Sequence, residues 1–456
     1  MFNNLFYNKR KGITLIEVII VLAIIGIVIS LGTSMLLFST RSHKIVDEEF
    51  QIQSGVRLTS QIIGNYIKES SAIFMLNDIY FDSSNLKNEW DYFTLSDDKT
   101  QVVQYKWDNV SKKHVTNVLA DSYSDIVYSL SFDKSQSDSF LVGFNLKAIN
   151  SSGTVKANIE NELNAINSVV VDNSGNSGNP AVALAYKTED IPDPSKPRIS
   201  VTLVLDKSGS MAWNMAGNTI TGGFDNSNSR FAIMKQRTVD LLDELESIGN
   251  VHISVMPFDT NANKTGNYHN LYKINENKST LVNLVNGIPK NGGGTNIGDA
   301  MRRAYYIHDS FKTSNTGKLL HYNIMLMDGN PTYWTKKGST YYRGKDAVND
   351  SDIFVSGTGQ DENPNINNCM NYVIDIGENL FKSGSVEIKT FVIGFSANAD
   401  NINRLNNIAG YVTSSTNSNI VGQYYEASSG EALKEVYRDI SKKIEMDAWH
   451  IFGPYN

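Results

Sequence analysis

The pattern of apolar and polar positions at the start of the chain predicts a long helix. From Ile13 to Thr40 the only charged residue is Glu17, and a helix of about 26 residues at roughly 1.5 Å each is long enough to cross a bilayer. Beyond Thr40 apolar residues recur on one helical face, which predicts an amphipathic half that needs a sheet to cover it. We therefore predict one helix over residues 13–70. Its amphipathic stripe consists of Ile52, Val56, Ile63 and Ile67.

Residues 71–190 contain short runs of strand-forming residues separated by clusters of Ser, Asn, Asp and Gly. This pattern predicts an antiparallel sheet packed on the helix, so that the two regions form one α+β module. A proline-containing stretch then predicts a stiff linker at residues 191–197. The predicted strands are DYFTL, QVVQYKW, DIVYSLSF, FLVGFNLKA and SVVVDNS.

From residue 198 to residue 456 the pattern changes to strands that alternate with helices. The run ISVTLVLD is almost continuously apolar, as a buried parallel strand requires, and Arg230–Ile248 presents one apolar helical face. Ser428 and Glu431 predict a capping box for the last helix. The alternation predicts a doubly wound α/β domain whose ligand site lies beyond the carboxyl ends of its strands.

Composition narrows the classes of function. A chain of 456 residues is too long for one ordinary core, and its net charge of −7 argues against nucleic acid as a partner. Cys369 is the only cysteine, so no intrachain disulfide can form, and we expect it to be a packed thiol. Neither a zinc-protease pattern nor a hydrolase nucleophile elbow occurs, and we expect no enzymatic activity.

Three cationic residues precede Gly12, Ile13 follows it, and Glu17 is the fifth residue after the glycine. This arrangement resembles the processing site of type IV prepilins. The resemblance implies that residues 1–12 are a leader, that a prepilin peptidase cuts between Gly12 and Ile13, and that the new N-terminus is methylated. It also implies that Glu17 meets the N-terminal amine of a neighbouring subunit in the fibre, which supplies a partner for a buried carboxylate.

Three polar clusters fall at the predicted carboxyl ends of the strands. They are Asp206, Ser208 and Ser210 with the spacing D-x-S-x-S, Thr295 in the glycine-rich loop NGGGTNIGDAM, and Asp328 in IMLMDGNPT. In order and spacing they resemble the metal-ion-dependent adhesion site of von Willebrand factor type A domains, and all five positions of that motif match. The resemblance implies that Ser208 and Ser210 coordinate a cation directly, while Asp206 and Asp328 act largely through water. Thr295 would enter or leave the coordination shell of the cation as the conformation of the domain changes. An all-oxygen set suits a hard divalent cation, so we expect Mg²⁺, with Mn²⁺ or Ca²⁺ as alternatives.

Two long insertions, residues 212–229 and 329–368, border this predicted site. Loops of this length are uncommon unless they are functional. Their aromatic side chains predict a ligand rim that stacks on sugars or anchors a protein. Two alternatives stay open: the loops only cover the site, or their Asp and Asn side chains bind structural Ca²⁺. The rim candidates are Trp213, Tyr333, Trp334, Tyr341 and Tyr342.

Together these patterns predict a minor subunit of a Gram-positive type IV pilus that carries an adhesive domain at the fibre tip. Before assembly the precursor would span the membrane once, and afterwards it would be extracellular. Its partners would be other pilin subunits, the prepilin peptidase, and a host surface, matrix protein or glycan. The alternative is a structural priming subunit whose second domain binds another pilus component.

Overall fold

The structure is a computed structural model that divides into two compact units. It describes residues 12–123, 125–134, 139–176, 179–190, 196–262, 264–290, 292–345, 352–360, 362–396, 399–412 and 422–455. The first unit runs to Glu189 and is joined by the residues from Pro454 onward; the second spans Asp190–Gly453. The predicted linker would have assigned everything after residue 197 to the second domain. The cationic leader residues and most of the predicted linker lie outside the described residues.

The first unit begins with a single helix, α1 (Leu15–Glu69). An 18-residue window of this helix has a mean hydropathy of 2.9 and is wholly exposed, as a membrane-spanning segment requires. The second half buries the predicted stripe, from Ile52 to Ile67, against the strands of the same unit. Residue pattern and observed helix therefore agree along its length.

Two sheets complete the first unit. A six-stranded sheet has the order β4-β3-β2-β9-β1-β8, and a three-stranded antiparallel sheet has the order β5-β6-β7. Because β1 pairs with β8 in parallel, the larger sheet is mixed rather than purely antiparallel as predicted. All five predicted strands are present. The strands are β1 (Ala72–Leu76), β2 (Asp91–Leu95), β3 (Val102–Asp108), β4 (Lys113–Ala120), β5 (Ile126–Asp133), β6 (Leu141–Asn150), β7 (Val155–Asn164), β8 (Val170–Asn173) and β9 (Ala183–Lys187).

The second unit is built on a six-stranded sheet of order β12-β11-β10-β13-β17-β18. All neighbouring strands run parallel except β12, which pairs with β11 in the antiparallel sense. The chain passes from β10 to β11 on one side and later to β13 on the other, so the topology reverses at β10. The strands are β10 (Arg198–Asp206), β11 (Val251–Phe258), β12 (Tyr272–Lys273), β13 (Leu319–Met327), β14 (Tyr333–Lys337), β15 (Thr340–Tyr341), β16 (Ile353–Gly357), β17 (Lys389–Gly394) and β18 (Gln423–Glu426).

Helices cover both faces of this sheet, which confirms the doubly wound α/β class. The helices α2, α3 and α7 pack on the face that buries Ile199, Val201 and Leu203, whereas α4, α5 and α6 pack on the opposite face. Successive side chains of each strand therefore pack into two separate cores, one on each face of the sheet. The helices are α2 (Arg230–Ile248), α3 (Ile274–Asn286), α4 (Ile297–Ser314), α5 (Asn365–Ile376), α6 (Ala399–Tyr411) and α7 (Gly430–Phe452).

Two local features differ from the sequence expectation. The N-cap of α7 is Ser429, whose hydroxyl accepts a hydrogen bond from the backbone N–H of Ala432 at 3.1 Å; Ser428 was the predicted cap. Within the insertion that follows β13, the strands β14, β15 and β16 form a small antiparallel sheet of order β15-β14-β16. The second insertion is therefore a folded element and not only a loop.

Candidate metal site

Asp206 occupies the end of β10, at the point where the sheet topology reverses. The residue has no exposed surface, and its Oδ1 accepts a hydrogen bond from the backbone N–H of Ser208 at 2.7 Å. Its other carboxylate oxygen, Oδ2, is buried and has no hydrogen-bond partner among the residues that the structure describes. A buried oxygen without a partner is costly, and an oxygen of this kind is suited to binding a cation.

A chain of hydroxyl groups connects the first predicted cluster to the third. The Ser208 and Ser210 hydroxyl oxygens lie 3.1 Å apart, and the Ser210 hydroxyl donates to Asp328 Oδ1 at 2.8 Å. Asp328 directly follows the last residue of β13, the strand that pairs with β10. Parallel pairing therefore brings together carboxylates that are more than 120 residues apart in sequence.

Burial makes both carboxylates costly to ionise, and the charge of Asp328 adds to the cost at Asp206. Burial, followed by the charge of Asp328, holds the pKa of Asp206 well above its usual range. Burial also raises the pKa of Asp328, whereas the Arg230 guanidinium works in the opposite direction. Two buried carboxylates in this proximity are an electrostatic site that a cation would stabilise.

The third predicted position, Thr295, lies in the glycine-rich loop that leads into α4. Its backbone is held from both directions by Thr332, because Thr295 N–H donates to the Thr332 hydroxyl at 2.9 Å and Thr332 N–H donates back to Thr295 O at 2.7 Å. Gly294 permits this approach: a Cβ there would lie 2.1 Å from the Tyr333 ring and 2.8 Å from the Thr332 hydroxyl. The second insertion therefore fixes the loop that carries Thr295.

These groups surround a cavity of about 610 Å³. Ser208, Ser210, Thr295 and Asp328 line it, and Asp206 lies directly behind Ser208. The structure thus brings all five predicted positions together, as side chains on three segments that meet at the carboxyl edge of the sheet. Residues that also line the cavity are Gly209, Trp213, Ala216, Gly217, Arg230, Gly293, Gly294, Gly329, Asn330, Thr332, Gly359 and Ser396.

The structure places the five residues of the predicted ligand rim in different surroundings. Trp213 lines the cavity and is 40% exposed, and Tyr333 packs on Gly294 at its edge. Tyr342 is only 8% exposed, because its ring packs on the Arg302 guanidinium with the cation 4.7 Å from the ring centroid. Trp334 and Tyr341 are partly buried against the core that α4 and α5 cover, and neither lines the cavity.

Sequence reasoning missed two polar residues of this site, Arg230 and Thr332. Arg230 was placed on a helix but not assigned to the site, although it is the first residue of α2 and its Nη1 donates to Asp328 Oδ2 at 2.8 Å. A basic residue just after the polar insertion was the available signal. Thr332 carried no signal, since its role depends on how the insertion folds back onto Thr295.

The residues present fit a divalent cation. Two carboxylates and three hydroxyl-bearing side chains form an oxygen set suited to a hard ion, and Asp206 offers an oxygen that no described residue uses. Among the described residues no group of three or more His, Cys, Asp and Glu side chains is placed to hold a metal, so the nitrogen- and sulfur-rich set typical of structural zinc is not seen there.

The N-terminal positions lie on α1 or just before it. Gly12 has no atom within 4 Å of its hypothetical Cβ, and Ile13 is 76% exposed. Thr14 and Glu17 form a capping box, in which Thr14 N–H donates to Glu17 Oε2 at 2.9 Å and Glu17 N–H donates to the Thr14 hydroxyl at 3.3 Å. Glu17 therefore caps its own helix in the single chain, a role that the sequence analysis missed.

Comparison with known proteins agrees with both parts of this description. The von Willebrand factor type A domain family matches residues 200–439, and the prokaryotic N-terminal methylation motif matches residues 7–33. No curated protein sequence matches the chain. The methylation motif and the apolar helix are those of a type IV pilin precursor, which spans the membrane once and is then incorporated into the pilus.

Solved structures resemble this chain to different degrees. The PilB minor pilin from Streptococcus sanguinis is 22% identical, with 88% of this chain and 99% of that chain covered and a TM-score of 0.71. A variant of that pilin with one aspartate replaced by alanine has the same identity and coverage, with a TM-score of 0.72. The open form of the pilus adhesin SpaC from Lactobacillus rhamnosus GG is 14% identical over 80% of this chain and 42% of that chain, with a TM-score of 0.40.

At this identity the PilB pilin establishes a common fold, and the family match covers more than half of the chain. A doubly wound α/β domain carried behind a pilin-like helix is the arrangement that both comparisons describe. The chain belongs to the von Willebrand factor type A domain family, and it carries this domain behind a prokaryotic N-terminal methylation motif.

Proposed function

We propose that this protein is a minor type IV pilus subunit whose von Willebrand factor type A domain binds a partner through a divalent cation. The observation that carries the proposal is the buried Oδ2 of Asp206, which has no hydrogen-bond partner among the described residues and lies behind an oxygen-lined cavity. The protein acts by binding and not by catalysis.

The chain's own residues would hold the cation at this cavity. Ser208 and Ser210 offer hydroxyl oxygens, Thr295 offers a third, and Asp206 and Asp328 supply the negative charge. Mg²⁺ is the best match for a small site with neutral oxygens and few carboxylates, with Mn²⁺ or Ca²⁺ as the alternatives. When bound, the ion would act as a Lewis acid that accepts a carboxylate or another oxygen of the partner.

The partner would be a host surface, a matrix protein or a glycan. Trp213 supports this proposal, since it is a large, 40% exposed side chain at the cavity and can stack on a sugar or anchor a protein. The second domain adds about 260 residues to the pilin module, and repeating that bulk along a tightly packed fibre would be difficult. We therefore place the subunit at the fibre tip.

Assembly would use the N-terminal helix. Cleavage between Gly12 and Ile13 by the prepilin peptidase would leave Ile13 as a methylated N-terminus, and Glu17 would pair with this amine in a neighbouring subunit. The exposed apolar half of α1 supports the proposal, because in the single chain nothing covers its side chains from Ile13 to Phe38 among the described residues.

Adhesion of piliated bacteria tests the binding function. Cells that carry the wild-type subunit are expected to adhere in Mg²⁺ and to lose adhesion in EDTA. Ser208→Ala removes one proposed cation ligand without adding or removing a charge, and it should also abolish adhesion. Ser247→Ala, on the exposed end of α2, is the matched control and should adhere normally. Adhesion that ignores both EDTA and Ser208→Ala would refute the proposal.

Electron microscopy with a labelled antibody tests the position. Label confined to fibre ends supports tip placement, and label along the shaft contradicts it. Deletion of the gene separates adhesion from assembly: intact fibres that do not adhere support an adhesin, whereas loss of fibres would indicate a priming role.

A further inference from the structure

Arg230 is a buried cation built into the metal site. Only 4% of it is exposed, and its Nη1 donates to Asp328 Oδ2 at 2.8 Å. The first insertion folds over it: the backbone N–H of Arg230 donates to Trp213 O at 2.9 Å, and its Nη2 lies 3.4 Å from Met215 O. A Cβ at Gly217, whose φ is +82°, would lie 3.5 Å from that same Nη2. The guanidinium is therefore held in place from several directions.

The charges of the site balance only in part. Asp206 and Asp328 are both buried, and Arg230 is the only positively charged side chain among the described residues that line the cavity. The nearby Lys207 is instead paired with Asp259. With both carboxylates ionised, the three side chains sum to a formal charge of −1. Arg230 neutralises Asp328, whose two oxygens are bonded to Arg230 and Ser210, but it leaves Asp206 Oδ2 without a partner.

A buried carboxylate needs a counter-charge, and a divalent cation competes with Arg230 for that role at Asp328. Like charges also repel at short range in a site of low dielectric, so a guanidinium at this position must weaken cation binding. After a divalent ion binds, the formal charge becomes +1. A positive site attracts the anionic group of a partner more strongly than a neutral one would.

We propose that Arg230 is an internal counter-cation that keeps Asp328 paired when the site holds no metal and lowers the affinity of the site for divalent cations. The inference rests on the proposed function, because it concerns the same metal site. Arg230 would have two effects on that site. It would keep the domain folded when no ion is bound, and it would leave the ion-bound site with a net positive charge that attracts the partner.

The test is Mg²⁺ titration calorimetry on the full-length chain in detergent micelles. Arg230→Met keeps the bulk of the side chain and removes its charge, and it should bind Mg²⁺ about tenfold more tightly than wild type, since the formal charge becomes −2. Arg230→Lys keeps the charge and should stay within about threefold of wild type. In EDTA, Arg230→Met should have a lower Tm than wild type, and Mg²⁺ should raise its Tm by more.

A charge-balanced pair keeps the proposal testable if Arg230→Met does not fold. Asp328→Asn alone gives a formal charge of 0, and the double variant Arg230→Met with Asp328→Asn restores −1. The double variant should bind Mg²⁺ about tenfold more tightly than Asp328→Asn. Equal affinities in this pair, or an Arg230→Met protein that folds and binds Mg²⁺ no better than wild type, would overturn the inference. Failure of the wild-type chain to bind Mg²⁺ would instead overturn the proposed function.

Discussion

Asp206 and Asp328 have the same chemistry but different surroundings. Asp328 is bonded through both oxygens, to Ser210 and to Arg230, whereas Asp206 keeps one buried oxygen without a partner among the described residues. Replacing Asp328 by alanine would leave the Arg230 guanidinium buried and unpaired, which costs about 3–5 kcal/mol of folding stability. Loss of adhesion in that variant could therefore result from lower folding stability as well as from lost metal binding. Substitutions of the hydroxyl residues are the cleaner probes.

Thr332 holds Thr295 through two hydrogen bonds, and only one of them uses the Thr332 hydroxyl. We expect Thr332→Val to weaken Mg²⁺ binding, because valine has the same shape but leaves the buried N–H of Thr295 without its acceptor. The same change should lower the free energy of unfolding by about 1–3 kcal/mol. Titration calorimetry and urea unfolding of the full-length chain in detergent measure both quantities.

Thr332→Ser is the matched control, since it keeps the hydroxyl and removes only a methyl group. It should retain most of the Mg²⁺ affinity of wild type. If Thr332→Val binds Mg²⁺ as tightly as Thr332→Ser does, then the hydrogen bond from Thr295 N–H to the Thr332 hydroxyl has no part in metal binding.

At the scale of elements, a row of buried polar residues crosses the second sheet. Ser254, Thr202, Asn323 and Thr390 are adjacent on strands β11, β10, β13 and β17, and none of them is exposed. His308 of α4 covers the row, with its Nε2 3.1 Å from the Thr202 hydroxyl and 2.9 Å from Asn323 Oδ1. Since α4 begins two residues after Thr295, these contacts also fix the helix that follows the metal loop.

This network makes the second unit sensitive to acid. His321 of β13 joins it, because the Ser200 hydroxyl lies 2.7 Å from His321 Nδ1 and 2.8 Å from His308 Nδ1. Burial lowers the pKa of His308 to about 3 and that of His321 to about 4. In unfolded chains histidine titrates near pH 6.5, so between about pH 6.5 and 4 the unfolded state binds more protons than the folded state does. The free energy of unfolding should therefore fall as the pH falls, by up to about 1.4 kcal/mol per pH unit for each histidine.

Hydrogen exchange at the β13 amides between pH 6.5 and 4.5 measures this dependence in the full-length chain. His308→Gln should reduce the slope of unfolding free energy against pH by up to about 1.4 kcal/mol per pH unit, which is the contribution of one proton. Thr202→Val removes a contact of the His308 ring but keeps the titrating group, so the slope should stay the same. An unchanged slope in His308→Gln would show that His308 is not one of the groups responsible.

At the scale of the whole molecule, each of the two units has its own core. The residues from Pro454 onward belong with the first unit although they follow the second in sequence. The Tyr455 ring lies 5.4 Å from the Phe74 ring and 5.2 Å from the Tyr80 ring, and its hydroxyl bonds to Asp172. Lys87 Nζ donates to the backbone carbonyl of Tyr455 at 3.3 Å. The pilin module is thus completed by a distant part of the chain.

Tyr455→Ala should destabilise the first unit by about 2 kcal/mol, because it removes the aromatic contacts on β1 together with the bond to Asp172. Hydrogen exchange at the β1 and β8 amides should become faster, while exchange at β13 in the second unit stays the same. Tyr455→Phe keeps the ring and should lose less than half as much. Equal exchange at β1 in wild type and Tyr455→Ala would contradict this assignment.

Much of this structure was predictable because its signals are local. The apolar run and the stripe ending at Ile67 predicted α1, and all five strands predicted for the first unit exist. The parallel pair β1 and β8 was missed, since parallel pairing joins segments almost 100 residues apart and leaves no local pattern. Tyr455 was missed for the same reason. The sequence could not place the rim candidates in space, because an aromatic side chain in an insertion has the same appearance in sequence whether it faces solvent or packs on a buried cation, as Tyr342 packs on Arg302.

The sequence by itself determined the helix, the doubly wound domain and the identity of the five oxygen-bearing positions, because periodicity and motif spacing are written along the chain. Only the tertiary structure decided what surrounds them. Arg230 reaches Asp328 because α2 begins beside the carboxyl end of β13, and Thr332 reaches Thr295 because the second insertion folds back. Contacts of this kind depend on where separate segments meet in space. The spacing of residues along the chain does not encode the distance between two such segments.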